Sequence, residues 1–422
     1  MPPRRLPYDS WCAPAASIKT RPTGLQSCEP YRILRVMGSL LITNCRLYDA
    51  GATEPLRDVL IRDGEIVGIG SAGGAAEILD AGGRILAPGL IDVHIQGAGG
   101  ADVLDATPEA LQTISRTCAR FGVTGFLATT VYKPGQENRH LSVAAECIGQ
   151  DLGGARLLGV HLEGPFLSTA NAGAQERHYL RNPDAEGRAF VLANADVVRR
   201  ITLAPELPGA LELIEECTER GIRVSAGHDA AIDDEIAAAM ARGLDCVTHI
   251  YCCSSSISRR VGPRKHLGLT EIGMADARLS VEVIADGRHI PDALFSLILR
   301  AKGRDSVCLV SDSIRVAGLP DGEYLLGDAE TGTLVRKEGE EASVPALGVY
   351  AGSVMPLGAM VRRLVSGGVV ALADAVHMAT AVPARLSGLA DRGRLEEGSL
   401  ADINVLGEDG GIRLTLLGGE RT

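Results

Sequence analysis

Two histidines, His228 and His249, lie 21 residues apart, and each follows a short run of β-branched and apolar residues. Residues 232–241 between them have an acidic start and an Ala-rich body, which predicts a helix. Strand, helix and strand in this order form a βαβ unit, and its right-handed crossover brings both strand ends to one face. Two imidazoles at one edge could bind a transition metal. Alternatively, each is a hydrogen-bonded polar residue at the mouth of a loop.

The elements that would position these histidines recur along the middle of the chain. The predicted strands are Leu90–Ile95, 123–129, 155–162, 200–204, Arg223–Ala226, 244–248, Ser280–Ile284 and 306–310, and the predicted helices include 108–121, 208–220, 232–241 and Asp292–Lys302. Eight βα units over roughly 270 residues predict a (β/α)8 TIM barrel. An open doubly wound sheet is the alternative, but no glycine fingerprint follows the first strand.

The sequence pattern at both ends of the chain differs from that of the middle and predicts short strands joined by tight turns. The dipeptide Asp63-Gly64 between two apolar runs predicts a hairpin. The prediction is one small β-sandwich built from 37–86 and 385–422, beside a barrel at 87–384. Residues 1–36 are basic and rich in Pro and Ser, without the apolar region of a secretory signal, and are predicted to be a disordered extension.

Composition narrows the function classes. The chain has 422 residues, of which 45% are hydrophobic, enough for a large core. Its net charge of −11 argues against binding nucleic acid, whose phosphates favour basic surfaces. It contains no apolar run of about 18 residues, so we expect no membrane span. The ten cysteines lack CxxC pairs and a disulfide framework, which indicates reduced thiols in a cytoplasmic protein.

Polar residues follow most of the predicted barrel strands. In chain order they are His94, Thr129, Thr130, Glu163, Glu206, His228, His249, Asp286, His289 and Asp312. Barrel active sites are built at this C-terminal rim. A set of imidazoles and carboxylates at successive strand ends is typical of a zinc or iron site. The sequence therefore predicts a metal-dependent enzyme.

Seven motifs carry a resemblance to a known family. They are LAPGLIDVHIQGAGG (87–100 region), GVHLEGPFL (159–167), TLAPE (202–206), SAGHDA (225–230), VTHIY (247–251), VIADGRH (283–289) and LVSDS (309–313). In this order they resemble the N-acetylglucosamine-6-phosphate deacetylases of the amidohydrolase superfamily, from about residue 37 to the C-terminus. The resemblance implies a barrel beside a sandwich formed by both chain ends. It also implies hydrolysis of the acetamide of a phosphorylated amino sugar.

The same resemblance implies roles for individual residues. Glu163, His228 and His249 match the family's metal ligands, Asp312 its catalytic carboxylate, and His289 the histidine that polarises the amide carbonyl. One divalent metal per subunit, zinc or iron, is expected. Amide hydrolysis needs such help because neutral water is a poor nucleophile, and a metal can lower the pKa of bound water to about 7.

On the substrate side, Arg260 stands where the family has an arginine that grips the sugar phosphate, often across a homodimer interface. Ala351 and Gly352 fall where the family closes the acetyl and sugar pocket. The neighbouring basic residues are Arg259, Arg264, Lys265 and His266. This cluster suits a phosphate, because guanidinium groups bind it through two hydrogen bonds. Alternatively, it is a solvated charged surface.

Three short stretches depart from the family pattern. The family often has His-x-His where this chain has His94-Ile95-Gln96, Asn-Ala-Met where it has Cys252-Cys253-Ser254, and Gly-Ala-His where it has Gly173-Ala174-Gln175. An amide is a poor ligand, so one metal is expected rather than two, with His94 either beside the ligands or vestigial. The cysteines are a pair of small buried residues near the rim of the barrel or, alternatively, a zinc site. A sugar contact is altered at Gln175 or supplied by His178.

Two rival functions stay open. The first keeps the mechanism and changes the substrate to a related N-acyl amino sugar or another anionic amide, as the cysteine-containing loop suggests. The second is a catalytically silent barrel that serves as a binding module. The complete set Glu163, His228, His249 and Asp312 argues against it, since a silent scaffold has no need of all four.

Overall fold

The computed structural model describes residues 32–36, 38–51, 54–70, 75, 77–256, 260–327 and 332–418. Its strands are β1 (Arg32–Val36), β2 (Ser39–Leu47), β3 (Arg57–Arg62), β4 (Glu65–Ile69), β5 (Glu77–Asp80), β6 (Ile85–Pro88), β7 (Leu90–Ile95), β8 (Gly97–Ala98), β9 (Ala101–Asp102), β10 (Val123–Thr130), β11 (Arg156–Glu163), β12 (Val198–Leu203), β13 (Arg223–Ala226), β14 (Leu244–Val247), β15 (Arg260–Val261), β16 (Arg264–Lys265), β17 (Ser280–Ile284), β18 (Val307–Val310), β19 (Gly322–Leu326), β20 (Thr333–Glu338), β21 (Glu341–Val344), β22 (Val349–Tyr350), β23 (Ile403–Leu406) and β24 (Ile412–Gly418).

The α-helices of the described chain alternate with the central strands and then follow one another near the C-terminus. They are α1 (Pro108–Arg120), α2 (Arg139–Cys147), α3 (Ala185–Ala193), α4 (Ala210–Glu219), α5 (Asp233–Met240), α6 (Leu269–Ala275), α7 (Asp292–Lys302), α8 (Leu357–Ser366), α9 (Leu372–Met378) and α10 (Ala381–Leu386). The strands and helices predicted for the barrel agree with these bounds to within two residues. None of the described helices is long and apolar enough to cross a membrane.

The central strands form the predicted (β/α)8 TIM barrel. Eight parallel strands pair in the order β7, β10, β11, β12, β13, β14, β17 and β18. The first and last strands meet just beyond their ends, where the backbone N–H of Asp312 donates to the carbonyl of His94 at 2.9 Å. The N–H of Gln96 likewise donates to the carbonyl of Ser313 at 2.8 Å. The carboxyl ends of the first and eighth strands are therefore joined directly at the rim.

The local sequence explains why these segments form a barrel. Every residue of β7 and β10 is buried, as expected for parallel strands covered by helices on one face and filled on the other. Helix α1 buries Leu111, Ile114 and Cys118, whose spacing places them on one face. Its N-terminus is capped by the side chain of Thr107, which accepts a hydrogen bond from the N–H of Ala110 at 3.2 Å.

Both chain ends contribute to one small β domain, as predicted. Its strands run in the order β1, β24, β23, β6, β2, β3 and β4, with β5 also pairing with β2. An apolar core contains side chains from the N-terminal strands, such as Ile42 and Ile61, and from the C-terminal strands, such as Ile403 and Leu414. The predicted hairpin at Asp63-Gly64 joins β3 to β4, and both residues have the positive φ that such a turn requires.

The predicted N-terminal boundary is wrong by one strand. Strand β1 pairs in parallel with β24, with Arg32 opposite Leu414 and Val36 opposite Gly418. The edge of β24 offers unpaired backbone groups, and β1 satisfies them. Residues 32–36 therefore belong to the small domain, and not to a disordered extension. The rest of the predicted extension, 1–31, lies outside the described residues, and the predicted boundaries at 87 and 385 stay predictions.

An insertion after β18 was not predicted. Strands β19 to β22 form a four-stranded antiparallel sheet with its own small apolar core. Ile314, Val335 and Val344 lie in this core, together with Ala351 at 5% exposure. The insertion returns to the rim at Ser353, whose N–H donates to the carbonyl of Asp312 at 2.8 Å. It therefore forms one wall beside the end of the eighth strand.

Candidate metal centre and active site

Three predicted metal ligands converge at the C-terminal rim of the barrel. Glu163 is the last residue of β11, and His228 and His249 each follow their strands by two residues. Oε1 of Glu163 lies 3.2 Å from Nε2 of His228 and 3.1 Å from Nε2 of His249, and the two Nε2 atoms are 3.1 Å apart. All three side chains are buried. The structure therefore brings together the set that the sequence predicted.

The backbone at these strand ends is strained. His228, His249 and Asp312 have φ values of 48°, 28° and 46°, in the left-handed region that residues other than glycine rarely adopt. Such conformations cost about 1–3 kcal/mol each and persist only where the surroundings enforce them. Here a carboxylate oxygen of Glu282 faces the backbone N–H of His249 at 3.4 Å. The backbone N–H of Asp312 donates a hydrogen bond to the carbonyl of His94. Strain at three neighbouring rim positions indicates a functional site.

The donor set fits a divalent cation. Nδ1 of His228 lies 3.0 Å from the carbonyl of Asn171, which can only accept, so Nδ1 carries a proton and Nε2 is free to ligate. That Nε2 faces a carboxylate oxygen and another imidazole nitrogen in a buried place. Nδ1 of His249, buried, has no hydrogen-bond partner among the described residues. Two imidazoles and a carboxylate with their ligand atoms converging match a three-ligand zinc or iron site.

Asp312 lies next to this cluster. It follows β18 by two residues, and its Oδ1 lies 3.3 Å from Nε2 of His94. Burial raises the pKa of Asp312; His94 opposes the shift and Glu163 adds to it, so that the net shift is upward. A carboxyl whose pKa is raised toward neutrality is suited to gain and lose a proton. The position and environment of Asp312 agree with the predicted catalytic carboxylate.

His289 is held by a neighbouring acid. Its Nδ1 lies 2.7 Å from Oδ2 of Asp286, whose other oxygen accepts from the backbone N–H groups of Arg288 and His289, both at 2.8 Å. Burial lowers the pKa of His289, but the hydrogen bond and the charge of Asp286 outweigh it and raise the pKa. The imidazole is therefore fixed in orientation and favoured in its charged form, with Nε2 left to donate elsewhere.

Comparison with known proteins agrees with this geometry. The family model of the amidohydrolase family matches residues 85–422. This chain belongs to the amidohydrolase family. It is 31% identical over 380 residues to an N-acetylglucosamine-6-phosphate deacetylase of Lysinibacillus sphaericus, covering 88% of this chain and 94% of that protein. The human N-acetylglucosamine-6-phosphate deacetylase is 33% identical over 394 residues, covering 90% and 95%.

Another relative of this amidohydrolase carries a different name. The N-acetylgalactosamine-6-phosphate deacetylase of Escherichia coli O157:H7 is 33% identical over 337 residues, covering 78% of this chain and 85% of that protein. Among solved structures, N-acetylglucosamine-6-phosphate deacetylase from Pasteurella multocida superposes with a TM-score of 0.81 at 26% identity, covering 90% and 99%. A variant of the Mycobacterium smegmatis enzyme in complex with N-acetyl-D-glucosamine-6-phosphate has the same TM-score at 28% identity, covering 91% and 99%.

In this amidohydrolase, His94 lies beside the ligand cluster. Its Nε2 is 3.5 Å from Oε1 of Glu163, and its Nδ1 is 3.2 Å from Oε2 of Glu282. Beneath it, Oε1 of Glu282 pairs with the buried guanidinium of Arg200 at 2.9 Å. The sequence analysis missed both of these charged residues. A signal was present, since Arg200 and Glu282 each stand between apolar residues of a barrel strand, in VRRITL and SVEVI.

The loop after β11 contains Ala174 and Gln175, which were predicted to contact the substrate, and His178, the alternative to Gln175. Gln175 does not point away from the cluster: its Nε2 donates to Oε2 of Glu163 at 2.9 Å. Ala174 packs against the small core of the insertion. His178 is 64% exposed and pairs with Glu176 at 3.6 Å. Of these residues, only Gln175 touches a predicted metal ligand.

The two cysteines lie close to the site. A Cβ on Gly173 would stand 2.7 Å from Sγ of Cys253 and 3.4 Å from Cε1 of His228, so the loop there needs a glycine. Burial raises the pKa of the Cys252 thiol, and the charge of Asp312 raises it further. Two groups of described side chains converge closely enough to hold a metal ion, the Glu163 cluster and Asp233, Asp234 and His266, and neither contains a cysteine. The structure thus gives the alternative of a cysteine zinc site no support.

Gly352 lies against Asp312, and its neighbour Ala351 packs in the core of the insertion. Gly352 has a φ of 119°, and a Cβ there would stand 2.9 Å from the carbonyl oxygen of Asp312 and 2.8 Å from the side chain of Ile314. The N–H of Ala351 donates to the carbonyl of Ala342 at 2.9 Å, which ties this segment to the insertion. Position 352 therefore requires a glycine, because a side chain there would collide with Asp312 and Ile314. The structure brings these two predicted residues to the rim.

The basic loop at residues 259–266 was predicted to hold the sugar phosphate. The backbone of Arg260 lies in β15, which pairs with β16, and Arg259 lies outside the described residues. Arg264 pairs with Asp234 at 3.3 Å, and Nδ1 of His266 lies 2.6 Å from Oδ1 of Asp233. Lys265 is exposed. Two members of the predicted phosphate cluster are therefore already paired with carboxylates at the start of α5.

A cleft opens beside Glu163. The residues that line it include Gln96, Thr129, Thr130, Glu163, Gln175 and Tyr179. The side-chain hydroxyl of Thr130 is buried there without a hydrogen-bond partner in the described part of the chain. The cleft therefore presents hydrogen-bonding groups of the kind that bind sugar hydroxyls.

Proposed function

We propose that this amidohydrolase removes the acetyl group of N-acetylglucosamine 6-phosphate and releases glucosamine 6-phosphate and acetate. The observation that carries the proposal is the convergence of Glu163, His228 and His249 beside Asp312 at the rim of the barrel. Relatives and solved structures named for this reaction, which match most of this chain, support the substrate. The cleft beside Glu163, lined by polar side chains, is the proposed place of the sugar.

One divalent metal ion per chain, zinc or iron, is the proposed cofactor. Glu163, His228 and His249 would hold it, and three protein ligands leave a coordination position open. When bound, the metal supplies a water whose pKa is lowered to about 7. His94 is proposed to support the ligands from beside the cluster, since its Nδ1 faces Glu282.

Two residues carry the proton transfers and charge stabilisation. Asp312 takes a proton from the attacking water and returns it to the leaving nitrogen, as a carboxyl with a raised pKa can do. His289, oriented by Asp286 and with its pKa raised by that carboxylate, donates from a protonated Nε2 to the amide oxygen as negative charge develops there. A well-placed donor of this kind contributes about 2.7–4 kcal/mol to lowering the barrier.

The remaining assignments concern binding and assembly. Arg260 is proposed to hold the 6-phosphate, and the acetyl and sugar groups to lie against Ala174, Gln175, His289, Cys252, Cys253, Ala351 and Gly352. The proposed assembly is a homodimer in the cytoplasm that binds neither nucleic acid nor membranes. The cysteines that the structure describes are free thiols, which supports a reducing compartment.

A second candidate substrate is N-acetylgalactosamine 6-phosphate. Its support is the 33% identity to the Escherichia coli O157:H7 deacetylase of that name, which equals the identity to the human glucosamine enzyme. The two sugars differ only in the orientation of one hydroxyl. This candidate keeps every proposed catalytic role and changes only the sugar contacts.

Acetate release from four sugars tests the proposal. The metal-loaded protein is assayed with N-acetylglucosamine and N-acetylgalactosamine, each with and without a 6-phosphate. We expect the highest kcat/KM for N-acetylglucosamine 6-phosphate. A preference for the galactosamine phosphate would favour the second candidate. Equal turnover of phosphorylated and plain sugars would contradict a phosphate-specific site, and a metal-loaded protein that releases no acetate from any of them would favour a binding module.

A further inference from the structure

Two glutamine amides hold the outer oxygen of Glu163. Nε2 of Gln175 lies 2.9 Å from Oε2 of Glu163, and Nε2 of Gln96 lies 3.2 Å from the same atom. Since a carboxylate oxygen only accepts, the NH2 end of each amide must face it. The other oxygen, Oε1, faces His228 and His249. Glu163 is therefore divided into an oxygen that meets the histidines and an oxygen that meets amides.

Gln96 makes a second contact that Gln175 does not. Its Nε2 lies 3.3 Å from Oδ1 of Asp312, so that one NH2 group, with two hydrogens, serves both carboxylates. Glu163 and Asp312 are 3% and 8% exposed, and like charges this deeply buried repel one another. An uncharged donor between them offsets part of that repulsion, and unlike an imidazole it cannot lose its hydrogens near neutral pH.

The backbone fixes the position of this amide. Gln96 follows β7 directly, and its N–H donates to the carbonyl of Ser313 at 2.8 Å. The neighbouring N–H of Gly97 donates to the same carbonyl at 3.0 Å. A Cβ on Gly97 would stand 2.4 Å from the carbonyl oxygen of Ala101, so the chain here is tightly packed. Gln96 is thus anchored to the residue that follows Asp312 in the chain.

We propose that Gln96 is a positioning residue for the reaction proposed above, on which this inference rests. Its amide sets the distance between the metal-ligand carboxylate and the proton-transferring carboxylate. Together with Gln175, it keeps Oε2 of Glu163 occupied, so that Glu163 offers one oxygen to the metal. Gln175 supports Glu163 alone, whereas Gln96 also fixes Asp312.

Replacement of each amide by methionine separates these two effects. Gln96→Met and Gln175→Met keep the length of the side chain and remove its donors. We expect both variants to bind metal more weakly in competition with a chelator, by about 10–100-fold, the usual effect of losing a partner of a metal ligand. At saturating metal, only Gln96→Met should lower kcat for N-acetylglucosamine 6-phosphate, by about 10–100-fold, with KM changed less than about threefold.

Gln136→Met is the matched control. The amide of Gln136 donates to the hydroxyl of Tyr179 at 2.7 Å and is exposed, so kcat, KM and metal affinity should equal those of the wild type. Gln96→Asn keeps the amide but shortens the side chain by one methylene, so it should show the same fall in kcat at unchanged KM. If thermal unfolding shows that Gln96→Met does not fold, Gln96→Asn tests the positioning role of Gln96 in its place.

The outcomes separate the two proposals. A wild-type protein that binds metal but releases no acetate would refute the proposed function. Independently of that result, unchanged metal affinity in Gln96→Met would refute the proposal that the Gln96 amide supports Glu163 as a metal ligand. If the wild type is active and kcat at saturating metal is equal for Gln96→Met and Gln175→Met, then Gln96 has no separate role at Asp312, and the inference is overturned.

Discussion

The ligand cluster at the ends of β11, β13 and β14 contrasts with the basic loop that contains β15 and β16. In the cluster, the ligand atoms of Glu163, His228 and His249 converge to within 4.8 Å and are buried. In the loop, Arg264 is 60% exposed and paired with acids, and Lys265 is exposed. The first arrangement is typical of a site built for one ion, and the second is typical of a surface that binds charge loosely.

The contrast follows from how each region is positioned. Parallel strands with hydrogen-bonded neighbours fix the cluster, since β13 and β14 pair in parallel with Ala226 opposite Val247, and their ends lie side by side. The loop side depends on a two-residue ribbon and on exposed ion pairs, which typically contribute about 0–1 kcal/mol each. The proposed chemistry therefore lies in the region that paired strands fix, and the proposed phosphate contact lies in the loop.

The largest expected effect is the loss of a ligand. His228→Ala or His249→Ala should weaken metal binding more than about 100-fold and lose turnover with it, because even a partner of a ligand is worth about 10–100-fold. Metal content after dialysis and acetate release measure both. His140→Ala is the matched control: His140 is also a buried histidine, with Nε2 3.0 Å from the carbonyl of Val131, and the metal content of this variant should stay that of the wild type. Full metal content in either ligand variant would contradict the assignment of the metal site to the cluster of Glu163, His228 and His249.

The next effect concerns proton transfer without loss of metal. Asp312→Asn keeps the size of the side chain but cannot take up a proton, so kcat should fall by about 10²–10⁴-fold while metal content is retained. Substrate affinity should change little, because the proposed phosphate contact lies in the loop. A kcat close to that of the wild type at neutral pH would remove Asp312 from the reaction.

Smaller effects should come from the loop. Arg260→Ala should raise KM for the phosphorylated sugar by about 10–100-fold at a similar kcat, since a hydrogen bond between charged groups is worth about 1.5–3 kcal/mol. It should leave the kinetics with the unphosphorylated sugar unchanged. Arg264→Ala, whose guanidinium pairs with Asp234, should change KM less than about fivefold. Equal effects of the two variants would mean that the phosphate is held by the general charge of the loop.

Barrel topology explains which residues sequence reasoning could find. Each predicted ligand directly follows an apolar run, and once the runs are recognised as parallel strands their ends must meet. The elements of the barrel were predictable for the same reason, because strands such as β7 are buried along their whole length. The resemblance then supplied the roles of Asp312 and His289, which strand ends alone could not distinguish from other polar residues.

Other features depend on contacts that no local pattern carries. Gln96 acts through an amide that meets Glu163 and Asp312, which lie 67 and 216 residues away in the chain. Strand β1 is set by pairing with the other end of the chain. The insertion did leave a local signal, since β20 alternates between exposed and buried residues, but its strands follow the last predicted barrel strand and were not predicted as elements of their own.

The most direct test of the central claim is a titration of the metal-free protein with zinc or iron, with metal content and acetate release from N-acetylglucosamine 6-phosphate followed together. The account predicts that chelation abolishes turnover and that activity returns in proportion to bound metal, complete at about one ion per chain, the number that three converging ligands hold. Full turnover by protein freed of metal, or activity that appears only with a second ion, would contradict it.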